Sequence, residues 1–265
     1  MTSLPQSSFH ATVELLTIPC LSDNYAYLIH DPATETVTLI DAPEAAPILA
    51  ALYERGWKLS HILITHHHFD HIDGVAMLEA ATGARVIGAQ ADAHRLPPLT
   101  ETVLASETLH VGMQGVEVFD VPGHTRGHVA YYFREAGLLF TGDSLMSWGC
   151  GRLFEGTPDE MFASLNQFAA LPDATVVCSG HEYTTANGRF ALSLEPQHPA
   201  LLARMARVEA LRGADLPTVP VDLGCERATN PYLRAADPAL AAAIGMAGAT
   251  PLEVFTEIRA RKDRS

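Results

Sequence analysis

The chain has 265 residues, 48% hydrophobic and 18% charged, which is enough apolar content for a sizeable core and excludes a disordered chain. Seventeen Lys and Arg stand against 31 Asp and Glu, a formal net charge of −14, which argues against a general nucleic-acid binder because that needs a basic footprint. Histidine is the outlier: 12 of 13 fall in residues 1–185, where only seven Lys or Arg occur, and this excess points to metal binding.

Residues 1–8 lack a basic segment followed by an apolar one, so no secretory leader is expected. No apolar run reaches the ~18 residues of a membrane span, so the expectation is a cytoplasmic protein without membrane contact. Three strands are predicted within residues 12–41: Thr12 to Ile18, Ala26 to Ile29, and Thr36 to Ile40, the last closed by Asp41. Pro43 to Arg55, stopped by Gly56, reads as a helix. His61 to Ile64 is a short buried strand, Val75 to Ala81 a helix up to Gly83, and Arg85 to Ile87 a strand. Val116 to Val121, Val129 to Phe133 and Leu138 to Phe140 are further strands between Gly-containing turns. Asp159 to Ala170 is a helix with Pro158 near its first turn, and Ala174 to Val177 a last strand. Beyond about residue 186 the pattern is helical: Pro199 to Leu211, a turn-rich linker from Ala214 to Thr229, then Pro238 to Ala247 and Pro251 to Arg261. The charge changes as well, with ten basic and nine acidic groups in 186–265 against seven and 22 in 1–185. The expected organisation is a catalytic domain over residues 1–185 and a small helical domain over 186–265. Cys20, Cys150, Cys178 and Cys225 form no CxxC pair and no dense framework, so neither a zinc knuckle nor a disulfide scaffold is indicated.

The sharpest motif is Thr65-His66-His67-His68-Phe69-Asp70-His71, directly after the strand ending at Ile64. In extended chain, positions two apart point the same way, so His66, His68 and Asp70 can face one site while His67 and Phe69 face away. His71 joins if the chain turns into a helix beginning near Ile72. Three imidazoles and a carboxylate suit zinc, iron or manganese. Three more candidates follow predicted strands: His124 in Gly123-His124-Thr125-Arg126-Gly127-His128, Asp143 after Thr141-Gly142, and His181 after Ser179-Gly180. A single strand-end Asp is usually a turn or cap residue, but four such deliveries in this order are far more specific.

With these pieces the sequence resembles the metallo-β-lactamase superfamily, whose signature is HxHxDH with a downstream His, Asp and His. Within it the chain resembles the glyoxalase II, or hydroxyacylglutathione hydrolase, family. The matching segments are Asp23-Asn24-Tyr25, THHHFDH at 65–71, PGHTRGH at 122–128, TGDSLM at 141–146, GCGRLFEG at 149–156 and SGHEYT at 179–184. Thr218-Val219-Pro220, ERATNPYLR at 226–234 and RARKD at 259–263 continue the match. The resemblance implies an α+β fold: an αββα metallo-β-lactamase-like sandwich with a small C-terminal all-α domain. It implies a binuclear site, most simply of zinc, with His66, His68 and His124 on one metal, Asp70, His71 and His181 on the other, and Asp143 bridging both. His67 and His128 match no ligand of the family, and His128 is expected to play a supporting role.

The chemistry that follows is hydrolysis of S-lactoylglutathione and related glutathione thioesters. A zinc-bound water ionises near pH 7 instead of about 15.7, roughly 12 kcal/mol in favour of the nucleophile. Two metals ~3.5–4 Å apart can share that nucleophile and polarise the carbonyl. The thiolate leaves without obligatory protonation, and no G-x-S-x-G elbow is present. Asp70 is expected to orient the nucleophile as well as bind metal. Carried over by position from the family it resembles, Arg152 and Tyr183 would contact glutathione, with the backbone near Cys150 and Phe154 lining the same pocket, and Arg259 and Lys262 would reach its glycine carboxylate. The segment 258–265 carries Arg259, Arg261, Lys262 and Arg264 against Asp263 alone, a patch suited to an anionic tripeptide. Phe154 stands where the family often has tyrosine, and Arg152 where lysine is also common; a guanidinium can bind a carboxylate bidentately. Cys150, in a Gly-Cys-Gly loop without an adjacent base, reads as packed and not nucleophilic. The competing reading is a mononuclear-iron persulfide dioxygenase, distinguishable by oxygen uptake with glutathione persulfide. The expected protein is a monomer.

Overall fold

The computed structural model describes residues 6–10 and 12–265, so part of the residue 1–8 leader reading lies outside the described residues. The described residues form two compact units, one of those up to residue 120 with 127–142 and one of residues 121–126 with 143–265.

The first unit opens with β1 (Gln6–His10), β2 (Val13–Cys20), β3 (Asn24–Asp31) and β4 (Thr36–Ile40), an antiparallel meander. α1 (Ala45–Arg55), closed by Gly56 at φ 65°, crosses to β5 (Leu59–Leu63), which pairs parallel to β4. The chain continues through α2 (Phe69–Ile72), α3 (Val75–Thr82), β6 (Arg85–Ala89) and the short β7 (Glu101–Val103). β5, β6 and β7 run parallel, which completes a seven-stranded sheet in the order β1 to β7. β8 (Thr108–Val111), β9 (Gln114–Asp120), β10 (Val129–Phe133) and β11 (Leu138–Gly142) form a second antiparallel meander.

Strand alternation explains the core. On β2 and β3, Leu16, Ile18, Ala26 and Leu28 share a buried cluster with Ile48 and Leu52 of α1 and Val75 and Leu78 of α3. The opposite faces meet the second meander: the Tyr27 and Phe140 rings lie 5.5 Å apart, and the buried Tyr131 hydroxyl donates to the Ile64 carbonyl at 2.8 Å. The sheet is thus buried on both faces around Leu15 to Ile18 and Tyr25 to Ile29.

The second unit contains the hairpin β12 (Leu145–Met146) and β13 (Gly149–Cys150), then α4 (Pro158–Asn166), begun by a capping box between Thr157 and Glu160. β14 (Val176–Ser179), α5 (Thr184–Leu194) and α6 (Pro199–Gly213) follow. The segment expected as a 214–229 linker instead holds β15 (Val221–Asp222), paired to β14, and α7 (Leu223–Thr229). α8 (Pro238–Ala243) stops at Ile244 near Gly245, short of the expected Ala247, and α9 (Pro251–Asp263) ends the chain. α5 was not predicted because Gly188 interrupts its pattern; a Cβ there would lie 2.4 Å from the Trp148 ring. Glycine weakens a helix interior by about 1 kcal/mol, and here it admits the indole. Trp148 packs with Ala191, Leu201, Met205 and Val208. Among the described residues, no helix is long and apolar enough to cross a membrane.

Candidate metal centre

The first unit carries His66, His68, Asp70 and His71 at the carboxyl end of β5. Thr65 to His68 is irregular, and α2 begins at Phe69, so Asp70 lies in a helical turn and not in the extended run expected from alternation. The His71 N–H donates to the His68 carbonyl at 2.9 Å, which turns the chain three residues earlier than the sequence suggested. Ligand atoms of His66 and His68 lie within 4.8 Å of one another, as do those of His66 and His71. Nε2 of His71 is 3.9 Å from Oδ2 of Asp70. His66 and His71 are buried, whereas His68 and Asp70 are half-buried.

These side chains are oriented by groups the sequence reading gave no role. Asp41, buried and at φ 55° just past β4, accepts the Thr65 backbone N–H on Oδ1 and the Thr65 hydroxyl on Oδ2, both at 2.8 Å. The same Oδ2 lies 2.8 Å from Nδ1 of His71. A carboxylate only accepts, so His71 carries its proton on Nδ1 and presents the Nε2 lone pair. The Thr65 hydroxyl spends its hydrogen on Asp41, so its oxygen accepts Nδ1–H of His66 at 3.0 Å, which exposes Nε2 of His66 in the same way. Asn24 donates from Nδ2 to Oδ2 and the backbone carbonyl of Asp70, at 3.1 and 3.0 Å. His128 stacks on His66 with centroids 4.5 Å apart and planes 14° from parallel. His67 faces away, its Nδ1 3.0 Å from the buried Asp92 carboxylate. Gly142 lets the strand end close against this array, since a Cβ there would be 2.5 Å from Oγ1 of Thr65.

The second unit carries His124, Asp143 and His181. Nε2 of His124 and Nε2 of His181 lie 3.4 and 3.3 Å from Oδ2 of Asp143, and all three residues are buried. Nδ1–H of His124 donates to the Arg152 carbonyl at 2.7 Å, again leaving Nε2 as the lone-pair nitrogen. Asp143 directly follows β11, and His181 comes two residues after β14, as their strand-end spacing suggested.

The donor sets fit a divalent cation. Neutral imidazole nitrogens and carboxylates converge, and three imidazoles have Nδ1 tied to an acceptor, the arrangement metal-ligating histidines require.

The expected substrate residues all lie in the second unit. The exposed Phe154 ring meets His124 edge-on at 5.3 Å, and the Tyr183 ring stacks on His181 at 4.6 Å. Arg152 is exposed. Lys262 is half-buried, its Nζ 5.2 Å from the Phe190 ring; burial, and then Arg259 and Arg152, pull its pKa down. Arg259 is buried and committed: its guanidinium donates to the Cys150 carbonyl at 3.1 Å and to Asp263 at 2.7 Å. Burial pushes the Cys150 thiol up to about 11, so it is no thiolate at neutral pH.

A family model described as the metallo-β-lactamase superfamily matches residues 22–181, and one described as the hydroxyacylglutathione hydrolase C-terminus matches residues 182–265. The chain is 64% identical over 254 residues to a hydroxyacylglutathione hydrolase of Rhodobacter capsulatus, covering 96% of this chain and 99% of that one. It is 57% identical over 251 residues to one from Cereibacter sphaeroides, covering 95% and 98%. The crystal structure of the B3 metallo-β-lactamase BLEG-1 has a TM-score of 0.64 at 23% identity, covering 82% of this chain and 98% of that one, a likeness of fold. The fold and the full-length similarity agree: the chain belongs to the hydroxyacylglutathione hydrolase family of the metallo-β-lactamase superfamily.

Proposed function

We propose that the chain hydrolyses glutathione thioesters, S-lactoylglutathione to lactate and glutathione, at a centre of two divalent metals, zinc in the simplest case. The reading is carried by the 64% identity, over 96% of the chain, to a protein named hydroxyacylglutathione hydrolase. His66, His68 and His124 would hold one metal, Asp70, His71 and His181 the other, and Asp143 both. When bound, the metals supply a water ionised near neutral pH and a Lewis acid for the thioester carbonyl.

The chain's own residues do the rest. Asp41, Thr65 and the Arg152 carbonyl keep three imidazoles in the tautomer that ligates. Asp70, steadied by Asn24 on Oδ2, would orient the attacking water with its other oxygen. A C–O bond forms at the carbonyl carbon, the C–S bond breaks, and the electron pair leaves with sulfur as glutathione thiolate; of the water's two protons one passes to solvent and the other neutralises the thiolate. Arg152 and Tyr183 would contact the glutathione part, with Phe154 lining the same pocket, while Arg259 and Lys262 would supply positive potential for its glycine carboxylate.

The persulfide dioxygenase alternative has less support, since residues 182–265 match the hydroxyacylglutathione hydrolase C-terminus. A cytoplasmic location and action as a monomer on a small molecule belong to the same proposal; the four cysteines are free thiols, as a reducing compartment keeps them. The test is anaerobic incubation of purified protein with S-lactoylglutathione, reading thiol release. Release without oxygen supports the proposal, whereas no release together with oxygen uptake on glutathione persulfide overturns it.

A further inference from the structure

The segment Glu226 to Arg234 supplies no expected ligand or substrate contact, yet it contains a fully buried carboxylate. Glu226 sits on α7, and its Oε1 accepts from Nη2 of Arg204 on α6, itself buried. The Arg204 guanidinium lies over the Trp148 ring at 4.3 Å and donates further to Oγ of Ser147 at 2.8 Å and to Oγ1 of Thr229. Oε2 of Glu226 accepts the Trp148 backbone N–H at 2.9 Å and Nδ2 of Asn230 at 2.9 Å. Nδ2 of Asn230 also points at the carbonyls of Met146 and Gly149, at 3.1 and 3.0 Å. The turn between β12 and β13 is thus held through its backbone. It needs holding, because Trp148 sits at φ 57°, a conformation non-glycine residues keep only when their surroundings impose it.

Downstream of this turn stand the groups the chemistry uses. Gly151 N–H donates to the Ser144 carbonyl at 3.1 Å, and the Arg152 carbonyl accepts Nδ1–H of His124. An apolar pair of equal volume would replace a buried ion pair with little loss of stability, but it would leave the Trp148 N–H buried without an acceptor. We infer that Glu226 is a positioning residue: its buried Oε2, by accepting the Trp148 N–H, fixes the Ser147–Cys150 turn and through it the Arg152 carbonyl that orients His124. The inference rests on the proposed reaction only for its bearing on turnover.

Two double variants of the full-length protein separate acceptor from volume. Arg204→Met with Glu226→Gln keeps an oxygen for the Trp148 N–H, whereas Arg204→Met with Glu226→Leu removes it. Thermal melting establishes that each is folded. Hydrogen exchange of the Trp148 amide and zinc affinity by chelator competition are then read. The leucine variant is expected to exchange that amide at least about tenfold faster and to bind zinc about tenfold more weakly, while the glutamine variant stays within about threefold of the parent on both. Wild-type exchange and zinc affinity in the leucine variant overturn the proposal, as does equal loss in both variants. Should the leucine variant not fold, Asn230→Ala leaves both charges in place and loosens the same turn. Weakened zinc binding there supports the link to His124, and unchanged affinity overturns it. None of these readouts uses the thioester, so a failure of hydrolysis would strike the proposed reaction and leave this test intact.

Discussion

Oδ2 of Asp41 lies 2.8 Å from Nδ1 of His71 and 2.8 Å from Oγ1 of Thr65, which in turn lies 3.0 Å from Nδ1 of His66. One buried carboxylate therefore sets the tautomer of two imidazoles five residues apart. Asp41→Asn keeps the shape and tolerates the left-handed backbone at φ 55°, but an amide has one acceptor oxygen: its N–H₂ must face either the Thr65 backbone N–H or the Thr65 hydroxyl and His71 Nδ1, donor against donor. Metal affinity is expected to fall about 10–100-fold, checked by chelator competition. Wild-type affinity in this variant would show that the two tautomers are held by something else.

Gly151 is the tightest backbone approach in the second unit's ligand array: a Cβ there would lie 2.0 Å from the Asp143 carbonyl oxygen and 3.0 Å from Nδ1 of His124. No side-chain rotation relieves a clash with a backbone oxygen. Gly151→Ala is expected to lower stability by about 3 kcal/mol and to weaken metal binding, read by denaturant unfolding with and without chelator. A variant as stable as the parent would mean the hairpin shifts freely.

The proposed contact of Lys262 with a substrate carboxylate would link pH to substrate binding. Burial, and then Arg259 and Arg152, pull its pKa down, with Asp263 opposing. The ammonium therefore loses its proton below the ordinary lysine value of about 10.4. KM for the anionic thioester is expected to rise as pH climbs through that lowered value, with kcat little changed. Lys262→Arg, charged throughout, removes the rise. Folding disfavours this ammonium, so its penalty on stability is present below the folded pKa and is relieved as pH rises past it. An alkaline KM limb that persists in the arginine variant would assign the effect elsewhere.

Asp237 gives the opposite sign. Arg234 holds its carboxyl below the usual range, burial works against this, and the Ala239 N–H at 2.9 Å assists. Its contribution is fully present above the unfolded value of about 3.9 and is lost as pH falls through the depressed folded pKa. Asp237→Ala is expected to cost about 1–2 kcal/mol near neutral pH, because it removes the N-cap of α8 as well as the pairing, and to cost less in strong acid. A pH-independent difference in urea unfolding would show that neither the Arg234 pairing nor the cap depends on the charge of Asp237.

Much of this was legible because the signals are local. The apolar run into Thr65 and the strand-end placement of Asp143 and His181 reside in short stretches of sequence. What was missed depends on distant partners. Asp41 looked like a strand terminator because Thr65 and His71 lie 24 and 30 residues on. α5 was hidden by Gly188, whose purpose is the Trp148 ring. β7 and β8 are short and partly exposed, so neither length nor alternation marked them. The partners of Arg259, the Cys150 carbonyl and Asp263, were equally invisible in the charge pattern of residues 258–265.

The central claim is a two-metal thioester hydrolase. Metal-free protein titrated with zinc, with thiol release from S-lactoylglutathione measured at each addition, tests it directly. The account predicts that the rate reaches its plateau only at two metals per chain, and that Asp143→Ala, folded, neither binds two nor turns over. Full activity at one metal per chain, or zinc-saturated protein that releases no thiol, would contradict it.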